Sequence, residues 1–323
     1  MSTVGAVIIG RNEGGRLVRC LASMQGAAGR MIYVDSGSTD DSIAAARAAG
    51  AEVVELDLSR PFTAARARTA GFQALQNGEE LPDFVQFVDG DCALQSGWIE
   101  AAKQALVADS QLGIVTGWRS EIFPERSIYN ALCDFEWHRP AGKILTCGGD
   151  MMVRSVAFEA AGGFDETVIA AEDDEFCVRV RAQGWKMLRL PLEMTLHDAA
   201  MTRFSQWWAR AVRSGHGFAQ VGYLHPEYFV RERRRVLVYG AALPAIGLIG
   251  LGVSLWITAA VVGLYGVNYL RTAQGLQREG LPRREAFRHS VLLTLSKLPN
   301  FQGMLTFWWR HLRGLKMNII EYK

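Results

Sequence analysis

Two carboxylates held one glycine apart follow an apolar run in Phe84-Val85-Gln86-Phe87-Val88-Asp89-Gly90-Asp91. At a strand end such a pair can present hard oxygen ligands to Mg²⁺ or Mn²⁺. A cation held there could bridge phosphate oxygens and neutralise charge on a leaving diphosphate. The bland alternative is an ordinary acidic turn. A second acid, Asp35, ends the run Met31–Val34 and opens Asp35-Ser36-Gly37-Ser38-Thr39-Asp40. Asp35 could accept from an N–H of a nucleobase, and Asp40 suits a helix cap. A third segment, Ala171-Glu172-Asp173-Asp174-Glu175, sets four acids at a helix start, more than the helix dipole needs. A carboxylate there, facing a cleft, could take a proton from an attacking hydroxyl. His197 closes the apolar stretch after Leu192 and could serve as a third metal ligand or a donor to a diphosphate. A lone histidine is also often structural.

The elements around these residues alternate. Apolar, β-branched runs at Val4–Ile9, Met31–Val34, Ala51–Leu56 and Phe84–Val88 read as strands. Gly15–Met24, Asp41–Ala49 and Thr63–Leu75 read as helices, as do Asp173–Gln183 and Phe204–Val221. Strands alternating with helices of this length imply an α/β fold with a mostly parallel sheet. Ligands of such sheets gather beyond the carboxyl ends of the strands, where Arg11, Asp35 and Asp89 fall.

The segments "VIIGRNE", "VDSGSTDDS", "FVDGDCAL", "CGGDMMVRSVAFEAAGGFDE" and "AEDDEFCVRVRAQGW", in this order, resemble the motifs of the family 2 glycosyltransferases. The resemblance covers about residues 4–200 and implies the GT-A fold, a Rossmann-like mixed sheet. It implies an inverting glycosyltransferase that uses a nucleotide-diphospho-sugar donor with Mg²⁺ or Mn²⁺. By the same resemblance Arg11, Glu13, Asp35, Arg68 and Asp89 bind the donor, with Asp35 on the nucleobase and Asp89 near ribose and metal. Asp91 ligates the metal by that resemblance, and the position of His197 after the base adds it as a further ligand. Asp173 is the general base, and Gly149, Asp150 and Glu172 lie on the acceptor side. Thr69 stands where the family more often has asparagine, and Ser36 where aspartate is common. "QWWAR", with Gln206 and Arg210, lacks the Gln-x-x-Arg-Trp order of processive synthases, so polymerisation is not expected.

The 323 residues suffice for one large domain or two smaller ones, and a net charge of +2 argues against a polyanion-binding chain. No nucleic-acid module is visible. The five cysteines are scattered without a CxxC pair, which suits reduced thiols rather than a disulfide framework. Residues 236–270 carry no charge at all, and basic residues flank both ends. A single span needs about 20 apolar residues, so this length suits a short helical hairpin turning near Gly247–Ser254. The basic flanks put both ends on the cytoplasmic side. Residues 271–323 hold ten Lys/Arg against three Asp/Glu, and about 290–316 reads as an amphipathic basic helix. The expected layout is a GT-A domain over 1–225 and a membrane-associated helical region over 226–323. No basic leader precedes Val4. The catalytic domain is therefore expected in the cytoplasm, at the cell inner membrane, acting on a lipid-linked saccharide acceptor for surface polysaccharide. A nucleotidyltransferase is one alternative, although "IIGRNEGG" offers one arginine and no lysine. A non-catalytic subunit presenting nucleotide-sugar to a membrane complex is the other.

Overall fold

The computed structural model describes residues 2–77 and 80–321. The chain divides into two compact units, Met1–Arg126 with Cys133–Ala200, and Ser127–Leu132 with Met201–Lys323.

The first unit is built on one nine-stranded mixed sheet. Its strands are β1 (Val4–Gly10), β2 (Met31–Asp35), β3 (Glu52–Glu55), β4 (Phe84–Asp89), β5 (Cys92–Leu94), β6 (Leu112–Glu121), β7 (Gly142–Lys143), β8 (Met151–Arg154) and β9 (Lys186–His197). The order is β3-β2-β1-β4-β8-β6-β9-β5, with β7 beside β9. The first four strands in that order run parallel, β8 is antiparallel to β4 and β6, and β6 and β9 are parallel. The parallel half matches the sequence expectation, and β8 and β5 make the sheet mixed.

Both faces are covered, which is why β1 reads as a continuous apolar run. Ala6 and Ile8 point into a core shared with α1 (Gly15–Met24), α2 (Ser42–Ala48) and α4 (Trp98–Ala108). Val7 and Ile9 point into the opposite core, shared with α3 (Ala64–Gln76), α6 (Ser155–Ala160) and α7 (Glu172–Ala182). Phe72, Phe158, Phe164 and Phe176 form the centre of that second core. The Phe72–Phe158 rings lie 4.0 Å apart and the Phe164–Phe176 rings 4.4 Å apart. Each such pair contributes about 0.5–1.5 kcal/mol beyond its buried area, and together they seat α3 and α7 side by side. Those two helices carry Arg68 and Asp173.

The second unit is helical. Besides the first residues of α5 (Ile128–Trp137), it contains α8 (Phe204–Leu224), a helix over Val230–Val253, and helices over Leu255–Arg278, Arg283–Leu295 and Lys297–Leu312. The division falls after Ala200, earlier than residue 225. The cause is that α8 packs along the Lys297–Leu312 helix at a distance that glycines permit. A Cβ on Gly303 would stand 1.9 Å from the carbonyl oxygen of Val212. Trp207 is buried in this unit beside Tyr129, at a ring distance of 6.3 Å.

The apolar stretch forms an antiparallel helix pair, broken at Ser254, whose backbone is extended (φ −162°, ψ 120°). Thr258 Oγ1 donates to the Gly247 carbonyl at 3.0 Å across the pair. The helices are longer than the expected residues 236–270 allow, 24 residues each. Each extends into its charged flank, so a helix of about 36 Å results. The basic C-terminal segment is two helices, not one over 290–316, with the boundary at Ser296. Pro299 is the physical reason. It lacks the N–H an unbroken helix would need there and sits in a first turn, where that loss is harmless.

Candidate active site

The candidate site lies in the first unit, at the carboxyl ends of β1, β2, β4, β6 and β9. Gly90 has no positive φ; it is small because β1 runs beside it. Its N–H donates to the Ile9 carbonyl at 2.8 Å, and a Cβ would stand 3.0 Å from that oxygen. Asp89 ends β4, and Asp91 follows before β5 begins.

The two aspartates have different partners. Asp89 is held by two guanidinium groups, Arg68 Nη2 at 2.7 Å from Oδ1 and Arg119 Nη2 at 3.4 Å from Oδ2. Burial favours the neutral acid, but Arg68 and then Arg119 outweigh it and hold Asp89 below the usual carboxylate range. Asp91 Oδ2 instead lies 3.2 Å from His197 Nε2, and its Oδ1 lies 3.6 Å from Cys92 Sγ. Two neighbouring ligands on an octahedral Mg²⁺ or Mn²⁺ stand about 3 Å apart when each bond is near 2.1 Å. The donor set of Asp91 and His197 therefore fits a divalent cation, with Asp89 serving to fix the arginines.

Arg68 is the hinge of the site. It sits on α3, 2% exposed, and its Nη1 meets Glu172 Oε1 at 2.9 Å. One side chain thus ties the end of β4 to the start of α7. Gly149 is shaped by it, since a Cβ there would stand 2.0 Å from Arg68 Nη2. Asp150, fully buried, accepts from the Asp89 N–H at 3.0 Å and from Thr195 Oγ1 at 3.0 Å, and pairs with Arg119 at 2.6 Å. Arg119 lies over the Trp137 ring, and Trp137 meets His197 edge-on at 4.7 Å. Glu121 is buried with one oxygen 3.7 Å from His197 Nδ1, and it accepts from the Ala199 N–H at 2.9 Å.

Ala171, in the left-handed region (φ 57°), turns the chain sharply into α7. That conformation costs a residue with a Cβ about 1–2 kcal/mol. Glu172 then turns to Arg68, and Asp174 accepts from Thr146 Oγ1. Asp173 accepts from the Asp174 N–H at 2.9 Å, with Oδ2 3.8 Å from where a Cβ on Gly148 would be. Burial, then Glu172 and Asp174, push its carboxyl well above the usual range. A carboxyl raised in this way holds a proton more readily than an ordinary one, as a general base requires.

The β2 side is separate from this cluster. Asp35 is buried and braces its own loop, accepting from the Gly37 and Ser38 N–H groups at 2.8 Å each and from Tyr33 Oη at 3.1 Å. Asp40 accepts from the Gly14 and Ser42 N–H groups, at 3.1 Å each. Asn12 joins the two loops, accepting from the Thr39 N–H at 2.7 Å. Arg11 is exposed, over the Phe62 ring at 4.8 Å, and Glu13 pairs with Arg16 at 2.8 Å. Arg68, Asp89, Asp150 and Glu172 are thus joined directly, as are Asp91 and His197. Arg11, Glu13 and Asp35 line neighbouring loops. Sequence reasoning missed Arg119, Glu121, Cys92 and Trp137. The first two had a weak signal, opposite charges two residues apart at a strand end.

Residues 6–156 match the family model for glycosyl transferase family 2. The pre-mycofactocin glycosyltransferases of two Mycobacterium tuberculosis strains, CDC 1551 / Oshkosh and ATCC 25618 / H37Rv, are each 28% identical over 275 residues. Those alignments cover 80% of this chain, and the chain spans only 55% of each relative's length. Among solved structures, a mannosyltransferase from Pyrobaculum calidifontis in complex with GDP-Man and Mn²⁺ superposes with a TM-score of 0.59 at 17% identity. It covers 95% of this chain and 87% of its own, and the likeness shows a shared GT-A fold. A mixed sheet with its acidic cluster at the strand ends, over residues that match that family model, makes the first unit similar to the glycosyltransferases of family 2.

Proposed function

We propose that this chain transfers a glycosyl group from a nucleotide-diphospho-sugar to an acceptor hydroxyl, with inversion at the anomeric carbon. The observation that carries the reading is the Arg68 bridge, which joins the strand-end aspartate Asp89 to the acidic helix start at Glu172 and Asp173. The family-model match over residues 6–156 and the relatives' names as glycosyltransferases support it. Asp91 and His197 would hold the cation, Mg²⁺ or Mn²⁺, which would supply charge neutralisation for the leaving diphosphate. Arg11, Glu13 and Asp35 border the nucleoside end, where Asp35 retains lone pairs for a base N–H. Asp173 takes the proton of the acceptor hydroxyl as its oxygen attacks from the face opposite the diphosphate. Gly148 leaves room beside Asp173 for that acceptor, while the space over Gly149 is filled by Arg68.

The acceptor reading rests on the second unit. The Val230–Val253 helix is long and apolar enough to cross a bilayer. Val253, Leu255 and Trp256 at the helix-pair turn are 73%, 71% and 86% exposed. Side chains of this kind belong in hydrocarbon rather than water. We therefore read the pair as a membrane hairpin at the cell inner membrane, its basic flanks and the catalytic unit cytoplasmic. The acceptor is then a lipid-linked saccharide of surface-polysaccharide assembly.

Asp173→Asn tests the mechanism. Asparagine keeps the volume and cannot accept the proton, so transfer should fall by about 10²–10⁴-fold. Nucleotide-sugar binding, measured by calorimetry with Mn²⁺, should stay within about twofold. Equal transfer by wild type and variant would remove Asp173 as the base, and nucleotide-sugar binding with no transfer by the wild type would leave a binding subunit as the better reading. Loss of transfer in Asp174→Asn alone would move the base by one residue.

A further inference from the structure

The hydrogen bonds that Asp35 already makes limit which nucleobase it can take. Tyr33 and Asp35 lie two residues apart on β2, so they share a face of the sheet, and both are buried. Asp35 Oδ2 accepts from the Gly37 and Ser38 N–H groups, at 2.8 Å each. Asp35 Oδ1 accepts from Tyr33 Oη at 3.1 Å. Burial pushes the Tyr33 hydroxyl well above its ordinary range, so it keeps its proton and donates. A carboxylate has about four lone-pair sites, two on each oxygen. Oδ2 is therefore saturated, and Oδ1 keeps room for one more N–H.

The saturating donors are backbone groups. A bound base cannot push them aside without opening the turn at Gly37, whose φ is 90°. That turn is also covered. A Cβ on Gly37 would stand 2.9 Å from Leu58 Cδ2, so the segment between β3 and α3 packs directly on it. Beside it, Asn12 Oδ1 accepts from the Thr39 N–H at 2.7 Å. That bond sets which way the amide faces and leaves Nδ2 as a donor at this end of the site.

Bases differ in what they ask of such an acceptor. The edge of uracil or thymine presents one N–H between two carbonyl oxygens. The remaining room on Oδ1 satisfies the N–H, and a donor such as Asn12 Nδ2 suits a carbonyl. Guanine presents two parallel N–H groups and needs an acceptor on each carboxylate oxygen. With Oδ2 saturated, one of them would be buried unpaired. Adenine and cytosine set an acceptor ring nitrogen beside the amino group, and a carboxylate repels it.

We infer that Asp35, as Tyr33 and the Gly37–Ser38 backbone hold it, selects a uracil-type base, so that the donor is a uridine- or thymidine-diphospho-sugar rather than a guanosine-diphospho-sugar. This rests on the reading of Asp35 as the nucleobase contact and names the base that it takes.

Calorimetry of the whole chain with Mn²⁺ and UDP, dTDP, GDP, CDP or ADP tests this without a variant. The tighter of UDP and dTDP should bind at least about 10-fold more tightly than GDP, CDP or ADP, which is about 1.4 kcal/mol. UDP methylated at N3 lacks the N–H and should weaken by a similar factor. In Asp35→Asn the backbone N–H groups keep the amide oxygen at the Oδ2 position, which puts the amide nitrogen where Oδ1 stood. That nitrogen repels the N–H of uracil and donates to the ring nitrogen of cytosine. The preference for UDP over CDP should therefore shrink at least about 10-fold. GDP bound as tightly as UDP, or N3-methylated UDP bound as tightly as UDP, would overturn the inference and leave the glycosyltransferase reading standing. An Asp35→Asn variant that weakens all five nucleotides alike would overturn it as well, by reducing Asp35 to a brace for its loop. Binding of no nucleotide in the presence of Mn²⁺ would overturn both readings.

Discussion

Replacing Arg68 by methionine removes the charge at the centre of the site while keeping most of the side-chain volume. Arg68 is 3% exposed as a side chain, its partners Asp89 and Glu172 are 28% and 8% exposed, and both contacts are under 3 Å. Removing one member of such a buried cluster strands the others, at a cost of about 3–5 kcal/mol. Asp89 keeps Arg119 at 3.4 Å, so the lower end applies, about 3 kcal/mol. With an m-value of about 3 kcal/mol/M, the urea midpoint of the sheet unit should fall by about 1 M at neutral pH. The pH dependence gives a second check. The folded Asp89 carboxyl is depressed, so its contribution is present above the unfolded value of about 3.9 and is lost as pH falls through the folded one. In Arg68→Met, burial no longer has that opposing charge and the Asp89 carboxyl rises, so acid relieves the variant before it harms the wild type. The stability gap should therefore narrow between pH 7 and pH 5. Adding Glu172→Gln to Arg68→Met should restore part of the loss, because one stranded charge is gone. A variant as stable as wild type at pH 7, or a gap independent of pH, would refute the claim that Arg68 holds the acidic cluster together.

Three other outcomes follow from the same geometry. Asp173 is pushed up by burial, Glu172 and Asp174, so the acid limb of kcat/KM should lie above the usual carboxylate value of about 3.9, and a limb at that value would contradict the assignment. The sign for stability is the reverse of Asp89: the Asp173 contribution is full below its unfolded value and lost as pH rises through the folded one. Gly149→Ala places a methyl 2.0 Å from Arg68 Nη2, so the guanidinium must shift and transfer should drop by about 10²-fold, with near wild-type rates showing that Arg68 can move freely. Trp256→Glu at the exposed hairpin turn should weaken liposome flotation, and undiminished flotation would remove the hairpin tip from the membrane reading.

Much of this was legible because the parallel half of the sheet announces itself locally. In Val4–Gly10 and Phe84–Asp89 every position but the last is buried, so each strand reads as one apolar run and its polar stop marks the ligand end. The acidic start of α7 was equally plain. What could not be read was how those acids would be used. Asp89 and Asp91 look equivalent in the sequence, yet one faces two arginines and the other an imidazole and a thiol. Gly149 likewise seemed an acceptor-side residue, and its position shows that it makes room for the arginine as well.

Arg119 and Glu121 show why the remaining half was hidden. Both act through β6, whose partner β9 begins 65 residues after β6 ends. The pairing shifts register between Thr116 and Trp118 and again between Trp118 and Arg119. Strand side chains alternate faces, so a slip of one residue turns every side chain beyond it to the other side. The irregularities therefore decide that Arg119 faces Asp89 and Asp150, and that Glu121 stands opposite His197. Gly117 is where this is accommodated, with a Cβ position 2.6 Å from the Leu192 carbonyl oxygen. Local periodicity carries no record of such a crossing, because it is set by two segments far apart in sequence. Half of the site's charge arrangement thus depends on one long-range strand pairing, while the residues that pairing serves were visible from the start.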